Sequence, residues 1–457
     1  MMLLYNSLVK NKVEFVPIED GKVKLYTCGP TVYDYSHIGN FRTFLFEDLL
    51  KRVLIAFGFE VKHVMNITDV DDKTISKSTQ QQIELKDLTQ RYTNEFMKDI
   101  DFLRILKADE YPNATDHVDE MILMIQTLID KEHAYISKDG SVFFKIDSCS
   151  DYGVLVNIEK SDNSHSYEIS DEYSSDSAND FALWKSYKKD DGKIYWDSPW
   201  GKGRPGWHIE CSAMATKYLG DHFDIHCGGV DNKFPHHENE IAQSTCALET
   251  PFVNNWLHSE FLMVEGSKMS KSLNNFYTIS DIYDNGFTPE EFRFLILSAH
   301  YRSRVNFSLN RRKEAKSAIK RITETQDRLS IISAEESSEY PSEYINFNER
   351  LADDLDTPGA LAVFFDWIRN INILIDSKEI SIFDAQKGNS FISYFDSIFA
   401  IVPQKDVAPQ ELVSLVEKRE ESRKNRDWAN SDRIRMEIEK KGWLIKDTVN
   451  GPKLVKK

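Results

Sequence analysis

A strand, a helix and a second strand follow one another near the N-terminus, and this order constrains the fold more than any other feature. The apolar run Val23–Thr27 is typical of a buried strand. His37–Phe57 has an apolar residue at every fourth position from Phe41, which predicts a helix ended by Gly58. Val61–Ile67 alternates as a strand does. Strands joined by a helix run parallel, so we expect the α/β class with a doubly wound parallel sheet.

The composition excludes several classes of protein. The chain has 457 residues and no run of about 18 apolar residues, so we expect no membrane-spanning helix. The N-terminal stretch is too short and polar for a signal peptide, which predicts a cytoplasmic protein. The net charge of −17 argues against a basic, sequence-blind nucleic-acid binder. It leaves open an enzyme that meets nucleic acid through local patches.

The cysteines do not form a recognisable framework. They are Cys28, Cys149, Cys211, Cys227 and Cys246. An odd number without a C-x-x-C pair argues against both disulfides and zinc-finger spacing. Cys28 nevertheless stands where a strand ends and Gly-Pro begins a turn, a place where sites are often built. Spacing alone assigns no role to Cys149, Cys227 or Cys246, and space filling is the expectation for Cys227.

Two stretches are suited to phosphate. His37-Ile-Gly-Asn40 opens a helix, where free N–H groups and the helix dipole favour an anion, and Gly39 permits close approach. Lys268-Met-Ser-Lys-Ser272 places Lys268 and Lys271 in a donor-rich loop suited to a polyphosphate. Helix capping and an ordinary surface loop are the alternatives. Together and in this order, the two stretches resemble the paired signatures of class I aminoacyl-tRNA synthetases.

Two further stretches could hold a metal or simply pack. His236 and Glu240 lie one helical turn apart, with Pro235 near the helix start, so they could bind zinc or form a surface ion pair. His237 and Glu238 are expected to point elsewhere on that helix. In Gly203-Arg-Pro-Gly-Trp-His-Ile-Glu-Cys-Ser212, Trp207 and Cys211 are also four residues apart, and core packing is the plain interpretation.

The remaining chain is mostly helical by pattern. We predict helices to about residue 131, a strand at Asp221–Ile225 running into a His-Cys-Gly-Gly loop, and amphipathic helices over 288–335. After a polar break at Ser333–Glu343, helices continue to about residue 401. Residues 161–180 contain seven serines and six acidic residues, which indicates a surface loop. Residues 403–409 are predicted to be a linker, followed by one charged helix over 410–441.

Across nearly its whole length the sequence resembles the cysteinyl-tRNA synthetase family. The matching stretches are CGPTVYDYSHIGNFR, NITDVDDK, SPWGKGRPGWHIECSAM, HFDIHCGGVDNKFPHHENEIAQS, KMSKSLNNF, HYRSRVNFS, DDLDTPGAL and RKNRDWANSDRIR. The resemblance implies a Rossmann-like catalytic domain with an insertion, a helical bundle and a small C-terminal domain. It also implies ATP, L-cysteine and cysteine tRNA as substrates, Mg²⁺ with ATP, and a monomer without membrane partners.

The resemblance assigns roles to individual residues. The implied ligands of one Zn²⁺ per chain are Cys28, Cys211, His236 and Glu240, and that ion would bind the substrate thiol. Thr31, Thr68 and Trp207 would line the cysteine and adenylate pocket, and Asp231 would face the ATP ribose. His37, Gly39 and Asn40 would hold phosphates, and Lys268 and Lys271 would close over pyrophosphate. The chain departs from the general synthetase pattern at Asn40, where histidine is common, and it lacks a tryptophan at its C-terminal end.

The resemblance also gives domain boundaries and leaves two rival functions. We predict a catalytic domain in two halves, 1–114 and 201–262, around a connective insertion at 115–200. A KMSKS and stem-contact region at 263–310, a helical bundle at 311–402 and an anticodon-binding region at 403–457 follow. The rivals are a ligase that joins cysteine to an amino sugar and a non-catalytic RNA-binding relative. The excess of 13 Lys/Arg over 8 Asp/Glu after residue 415 favours a tRNA acceptor, as do Trp428 and Trp443.

Overall fold

A computed structural model describes residues 1–156, 180–269, 275–404, 409–448 and 451–456. The chain divides into two compact units, Met1–Ile401 and Val402–Lys457. The loop predicted at 161–180 and most of the linker at 403–409 lie outside the described residues. None of the described helices is long and apolar enough to cross a membrane.

The strands are β1 (Leu3–Asn6), β2 (Asn11–Glu14), β3 (Lys22–Thr27), β4 (Glu60–Met65), β5 (Ala134–Ile136), β6 (Val142–Phe144), β7 (Phe181–Ser186), β8 (Gly203–Pro205), β9 (Phe223–Gly229), β10 (Val253–Ser259), β11 (Leu262–Val264), β12 (Ser267–Lys268), β13 (Val305–Phe307), β14 (Trp443–Thr448) and β15 (Gly451–Lys456). The helices are α1 (Ile38–Ala56), α2 (Asp72–Gln81), α3 (Leu85–Phe102), α4 (Val118–Asp130), α5 (Trp207–Leu219), α6 (Glu238–Leu248), α7 (Ile279–Asp284), α8 (Pro289–Leu297), α9 (Arg312–Ile332), α10 (Glu343–Ala352), α11 (Thr357–Ser377), α12 (Ile382–Phe399), α13 (Gln410–Lys424) and α14 (Trp428–Lys440).

The predicted parallel sheet is present. Strands β10, β9, β3 and β4 lie side by side in that order, and each neighbouring pair is parallel. The unit β3–α1–β4 is therefore the predicted strand–helix–strand crossover. Strand β9 extends through Gly229, so the His-Cys-Gly-Gly stretch predicted as a loop belongs to the sheet. Its seven residues are all buried, which lets the strand continue in spite of two glycines.

A separate antiparallel sheet interrupts the parallel one. Strands β5, β6, β7 and β8 form it, between residues 134 and 205. Helices α4, α5 and α6 pack beside it, and a shared apolar core includes Trp184, Phe181 and Phe144. The chain then returns to the parallel sheet through α5 and β9. The strands before and after this antiparallel sheet are joined by the parallel pairing of β3 with β9, in spite of their distance in sequence.

The second part of the large unit is mainly helical, with one departure from the prediction. Helices α8 and α9 are separated by β13, which pairs in parallel with β11, so residues 288–335 are not continuously helical. Arg293 of α8 lies fully buried against Asp48 of α1, with 2.7 Å between Nη2 and Oδ2. The same guanidinium donates to the carbonyls of Leu103 and Phe399, which joins α8 to α1, to the end of α3 and to α12.

The small unit also differs from the prediction. The single charged helix expected over 410–441 is two helices, α13 and α14, which pack on a hairpin of β14 and β15. Arg426 has a positive φ of 60° at the break, and Asp427 caps α14 by accepting from the Asn430 N–H. A small apolar core, including Ile438 and Trp443, unites these elements.

Candidate metal centre and active site

Two cysteines that are distant in sequence meet at the edge of the parallel sheet. Cys28 directly follows β3, and Cys211 lies in the first turns of α5, which packs against β3. Cys211 is buried and Cys28 is half-buried. A backbone hydrogen bond from Thr68 N to Pro30 O joins the turn after Cys28 to the segment after β4. A Cβ at Gly29 would lie 1.6 Å from the carbonyl oxygen of Asn66, so only glycine fits this turn.

His236 and Glu240 complete a group of four possible metal ligands. One donor atom from each of Cys28, Cys211, His236 and Glu240 lies within 4.8 Å of the others. Nε2 of His236 is 3.1 Å from Oε1 of Glu240. The predicted helix begins later than expected, at Glu238, so His236 occupies an irregular turn over residues 233–237 that precedes α6. His236 and Glu240 nevertheless contact each other, and both side chains are buried.

A second group overlaps the first. Cys28 and Glu240 also lie within 4.8 Å of His226 and His237. Nε2 of His226 is 2.9 Å from Oε2 of Glu240, and Nε2 of His237 is 3.4 Å from Sγ of Cys28. The expectation that His237 points away from the cluster is therefore wrong. The irregular turn rotates its ring inward, where a regular helix would have directed it elsewhere.

Burial sets the protonation of these groups. Desolvation lowers the pKa of His236 to about 3, so its imidazole is neutral at pH 7 and has a lone pair to offer. A hydrogen bond with the Cys211 thiol, together with desolvation, raises the pKa of Cys28 well above its usual range. Two thiols resist ionisation here unless a cation compensates the charge. Two sulfurs, a neutral imidazole and a carboxylate are donors that zinc accepts, so the residues fit a zinc ion.

Trp207 lies at the start of α5, beside this cluster. Its ring stacks on His236 with 4.3 Å between centroids, and 41% of the side chain is exposed. Core packing is therefore the wrong interpretation for Trp207, whereas Cys211 is buried and also belongs to the cluster of possible metal ligands. The indole thus lies beside the cluster with part of its surface open to solvent.

Thr31 and Thr68 lie in the two segments that follow β3 and β4. They pair as a parallel bridge, and Val32 N–H donates to the Thr68 carbonyl. The Asn66 amide donates to Thr68 Oγ1 at 3.1 Å, which fixes the hydroxyl. Both threonines follow parallel strands at their carboxyl ends, where open α/β sheets bind ligands.

The predicted phosphate site lies at the start of α1. His37 is the N-cap: its Nδ1 accepts from Asn40 N–H at 3.2 Å, and its N–H donates to Asn40 Oδ1 at 3.1 Å. The capping interpretation is thus satisfied, and it also orients both side chains at the helix N-terminus. A Cβ at Gly39 would lie 2.8 Å from the Met269 side chain, so the chain just after Lys268 closes on this turn. Lys271 lies outside the described residues, as does the Lys268 side chain.

Asp231 follows β9 at the next strand end. A Cβ at Gly229 would lie 2.3 Å from Asp231 Oδ1, so the glycine leaves space for this carboxylate. The Gly229 N–H donates to Asn232 Oδ1, which shapes the turn. Asp231 thus follows the strand adjacent to β3. The four possible metal ligands come from the end of β3 (Cys28), from α5 (Cys211), from the turn before α6 (His236) and from α6 itself (Glu240).

Sequence reasoning missed a chain of histidines behind the cluster. His237 Nδ1 is 2.8 Å from His258 Nε2, and His258 Nδ1 is 2.8 Å from Ser7 Oγ. His226 stacks on Trp256 with 4.6 Å between centroids. All of these rings are buried. The sequence did contain a signal, since His226 and His258 lie within the buried strands β9 and β10. A buried imidazole needs polar partners, so these histidines indicated a polar network behind the sheet.

Comparison with known proteins now identifies the family. The tRNA synthetases class I (C) catalytic domain matches residues 14–317, and the DALR domain matches residues 346–402. The chain is 44% identical to the cysteine–tRNA ligase of Brachyspira hyodysenteriae, with 100% of this chain and 99% of the relative covered. It is 46% identical to the same enzyme of Chlamydia muridarum, at 100% and 99% coverage. The chain belongs to the cysteine–tRNA ligases.

Solved synthetase structures share the fold. A Mycobacterium tuberculosis methionyl-tRNA synthetase complexed with methionyl-adenylate superposes with a TM-score of 0.59 at 12% identity, covering 83% of this chain and 90% of that one. A LeuRS of Agrobacterium radiobacter in a ternary complex gives a TM-score of 0.62 at 10% identity, with 85% of each chain covered. This cysteine–tRNA ligase thus has the class I catalytic fold predicted from its sequence.

The full-length match bears on the rival functions. The relatives align over the C-terminal unit as well as the catalytic domain. A ligase for an amino sugar and a non-catalytic RNA-binding relative are therefore not supported. The chain is a ligase that charges tRNA with cysteine at the expense of ATP.

Proposed function

We propose that this ligase selects L-cysteine through a zinc ion held by Cys28, Cys211, His236 and Glu240, and transfers it to cysteine tRNA through a cysteinyl-adenylate. The observation that carries the proposal is the convergence of four donor atoms within 4.8 Å, from residues far apart in the chain. Zinc bound there would supply a Lewis acid that holds a thiolate far better than a serine hydroxyl.

Such selectivity answers a physical problem. Serine differs from cysteine by one atom, and a pocket that reads only size discriminates by about 1–3 kcal/mol. Cys28 and Cys211 supply soft sulfur donors, and Trp207 stacks on His236 and so holds one ligand in place. We assign Thr31 and Thr68, which pair as a bridge after β3 and β4, to the same pocket. In these positions the side chains orient the substrate. The reaction needs no covalent intermediate between the substrate and a side chain.

The reaction needs positioning and charge stabilisation. A carboxylate oxygen of cysteine attacks the α-phosphorus of ATP, and the bond to pyrophosphate breaks. The terminal ribose hydroxyl of tRNA then attacks the adenylate carbonyl, and AMP leaves. We assign His37, Gly39 and Asn40 to the phosphates at the start of α1, where N–H groups and the helix dipole favour an anion.

The remaining assignments complete the proposal. Asp231 accepts from the ribose hydroxyls, and Lys268 and Lys271 stabilise the pyrophosphate as its charge develops. Mg²⁺ accompanies ATP. The proposed state is a monomer in the cytoplasm, which the family resemblance supports. The small C-terminal unit contacts the anticodon through basic residues of α13 and α14 and exposed Trp428.

The test measures transfer of radiolabelled cysteine to bulk tRNA with ATP and Mg²⁺, beside radiolabelled serine. Strong cysteine transfer without serine transfer supports the proposal, and removal of zinc by a chelator should abolish that preference. Loss of transfer with retained cysteine-dependent pyrophosphate exchange would show activation without a tRNA acceptor and contradict the proposal. Lys271→Ala should slow adenylate formation far more than it weakens cysteine binding, and equal effects would remove that lysine from its assigned role.

A further inference from the structure

A tyrosine hydroxyl lies buried behind the metal ligands without a regular hydrogen bond. Tyr26 is on β3, two residues before Cys28, and is fully buried. Cys28 comes directly after the end of β3, so Tyr26 lies close to this proposed ligand in the chain. Its hydroxyl oxygen has no hydrogen-bond partner of regular geometry among the described residues. A buried hydroxyl without a partner costs free energy and calls for a physical reason.

The surroundings of Tyr26 indicate that reason. Tyr26 and Cys211 belong to one buried cluster, against which Cys28 packs. The ring of Tyr26 lies 5.0 Å from the ring of His226, whose Nε2 contacts Glu240. The tyrosine ring is therefore packed among the groups that surround the proposed metal site, with Cys211 in the same buried cluster.

We propose that Tyr26 is a positioning residue that donates its hydroxyl hydrogen to the sulfur of Cys211 when the metal is bound. This inference rests on the proposed zinc site and adds a residue outside the ligand set. Hydrogen bonds from neighbouring groups orient metal ligands and tune the charge that they donate. A donor to one thiolate withdraws charge from that sulfur, which leaves the ion better able to hold the thiolate of the substrate.

The substitution Tyr26→Phe removes only the oxygen. The matched control is Tyr301→Phe, because Tyr301 is also buried but its hydroxyl donates to Asp354 Oδ1 at 2.6 Å. The first measurement is the thiolate-to-cobalt charge-transfer absorption of protein loaded with Co²⁺. Loss of the hydrogen bond makes the sulfur a stronger donor, so the band of Tyr26→Phe should move to lower energy. The Tyr301→Phe band should remain at the wild-type position.

A stability comparison gives an independent result. In the metal-free protein no described residue forms a regular hydrogen bond with the Tyr26 hydroxyl, so Tyr26→Phe should melt at the wild-type temperature or above it. The rise in melting temperature on adding zinc should be smaller in this variant than in wild type. Tyr301→Phe should melt lower in both states by the same amount. The KM for cysteine in pyrophosphate exchange should rise roughly tenfold in Tyr26→Phe, within the range seen for groups that orient ligands.

The outcomes separate this inference from the proposed function. A wild-type protein that shows no thiolate-to-cobalt band would overturn the metal site itself. A wild-type band that is unchanged in Tyr26→Phe, with an equal rise in melting temperature on adding zinc, would overturn only the role of Tyr26. If the metal-free variant does not fold, the band of the cobalt-loaded variant still decides the question.

Discussion

Nε2 of His237 lies 3.4 Å from Sγ of Cys28, so a residue expected to face away from the metal centre contacts one of its ligands. Two sets of four donors consequently share Cys28 and Glu240. The sulfur-rich set matches the preference of zinc for thiolate with imidazole. In that arrangement His237 is a partner of a ligand, held by His258 at 2.8 Å.

The two sets make opposite predictions for two adjacent histidines. His236→Ala should lose bound zinc, because it removes a proposed ligand. His237→Ala should retain about one zinc per chain, with metal affinity reduced by roughly 10- to 100-fold. Elemental analysis after dialysis at a fixed free zinc concentration measures both. Zinc retained by His236→Ala and lost from His237→Ala would assign the ion to the other set.

The capping pair of α1 predicts a separation of stability from activity. His37→Ala removes the side chain that accepts from the Asn40 N–H, and should cost about 1 kcal/mol of unfolding free energy. It should also slow cysteine-dependent pyrophosphate exchange by roughly 100-fold, because a donor to the phosphates is lost.

The control for this experiment is Ser381→Ala, which removes the capping hydroxyl of α12. Its cost in unfolding free energy should be similar, and its exchange rate should equal that of wild type. Equal exchange rates in both variants would restrict His37 to a structural role.

The buried carboxylate of Asp354 predicts a large loss of stability. It accepts from the Tyr5 N–H at 2.8 Å, the Tyr301 hydroxyl at 2.6 Å and Nε of Arg302 at 2.8 Å. Asp354→Ala leaves these donors without their acceptor and should cost about 3 kcal/mol or more. Asp353→Ala removes a half-exposed carboxylate in a surface ion pair and should cost about 1 kcal/mol or less. Urea unfolding compares them, and similar losses would contradict the burial argument.

The buried ring of His63 predicts an acid sensitivity with a defined sign. Desolvation lowers its pKa to about 3 in the folded protein, whereas an unfolded histidine titrates near 6.5. The unfolded state therefore binds the proton first as the pH falls, and stability is lost from about pH 6.5 downwards. At pH 5 the loss due to this residue should be about 2 kcal/mol.

The measurement compares wild type with His63→Gln, because other buried histidines contribute to the total slope. Both proteins are stripped of metal, and urea unfolding is followed at pH 7 and pH 5. The variant should lose about 2 kcal/mol less than wild type on acidification. Parallel losses would mean that His63 is protonated equally in both states.

Local patterns were sufficient for the elements that build the catalytic fold. The strands β3 and β4 and the helix α1 were predicted within about two residues, because apolar periodicity acts over neighbouring residues. The same reasoning failed where tertiary contacts decide. Two burial-driven departures are the continuation of β9 through Gly229 and the insertion of β13 between α8 and α9. The break at Arg426 between α13 and α14 carried no helix-breaking proline or glycine that would have marked it.

By itself the sequence determined the class, the order of the elements and, through resemblance, the family and the candidate ligands. The tertiary structure decided which side chains share one site. Cys28 and Cys211 carry no sequence spacing that a pattern can detect, and they meet because β3 and α5 pack together. His237 turns inward because residues 233–237 are not a regular helix. Distances between residues far apart in the chain follow from packing of the whole core, and no local periodicity encodes them.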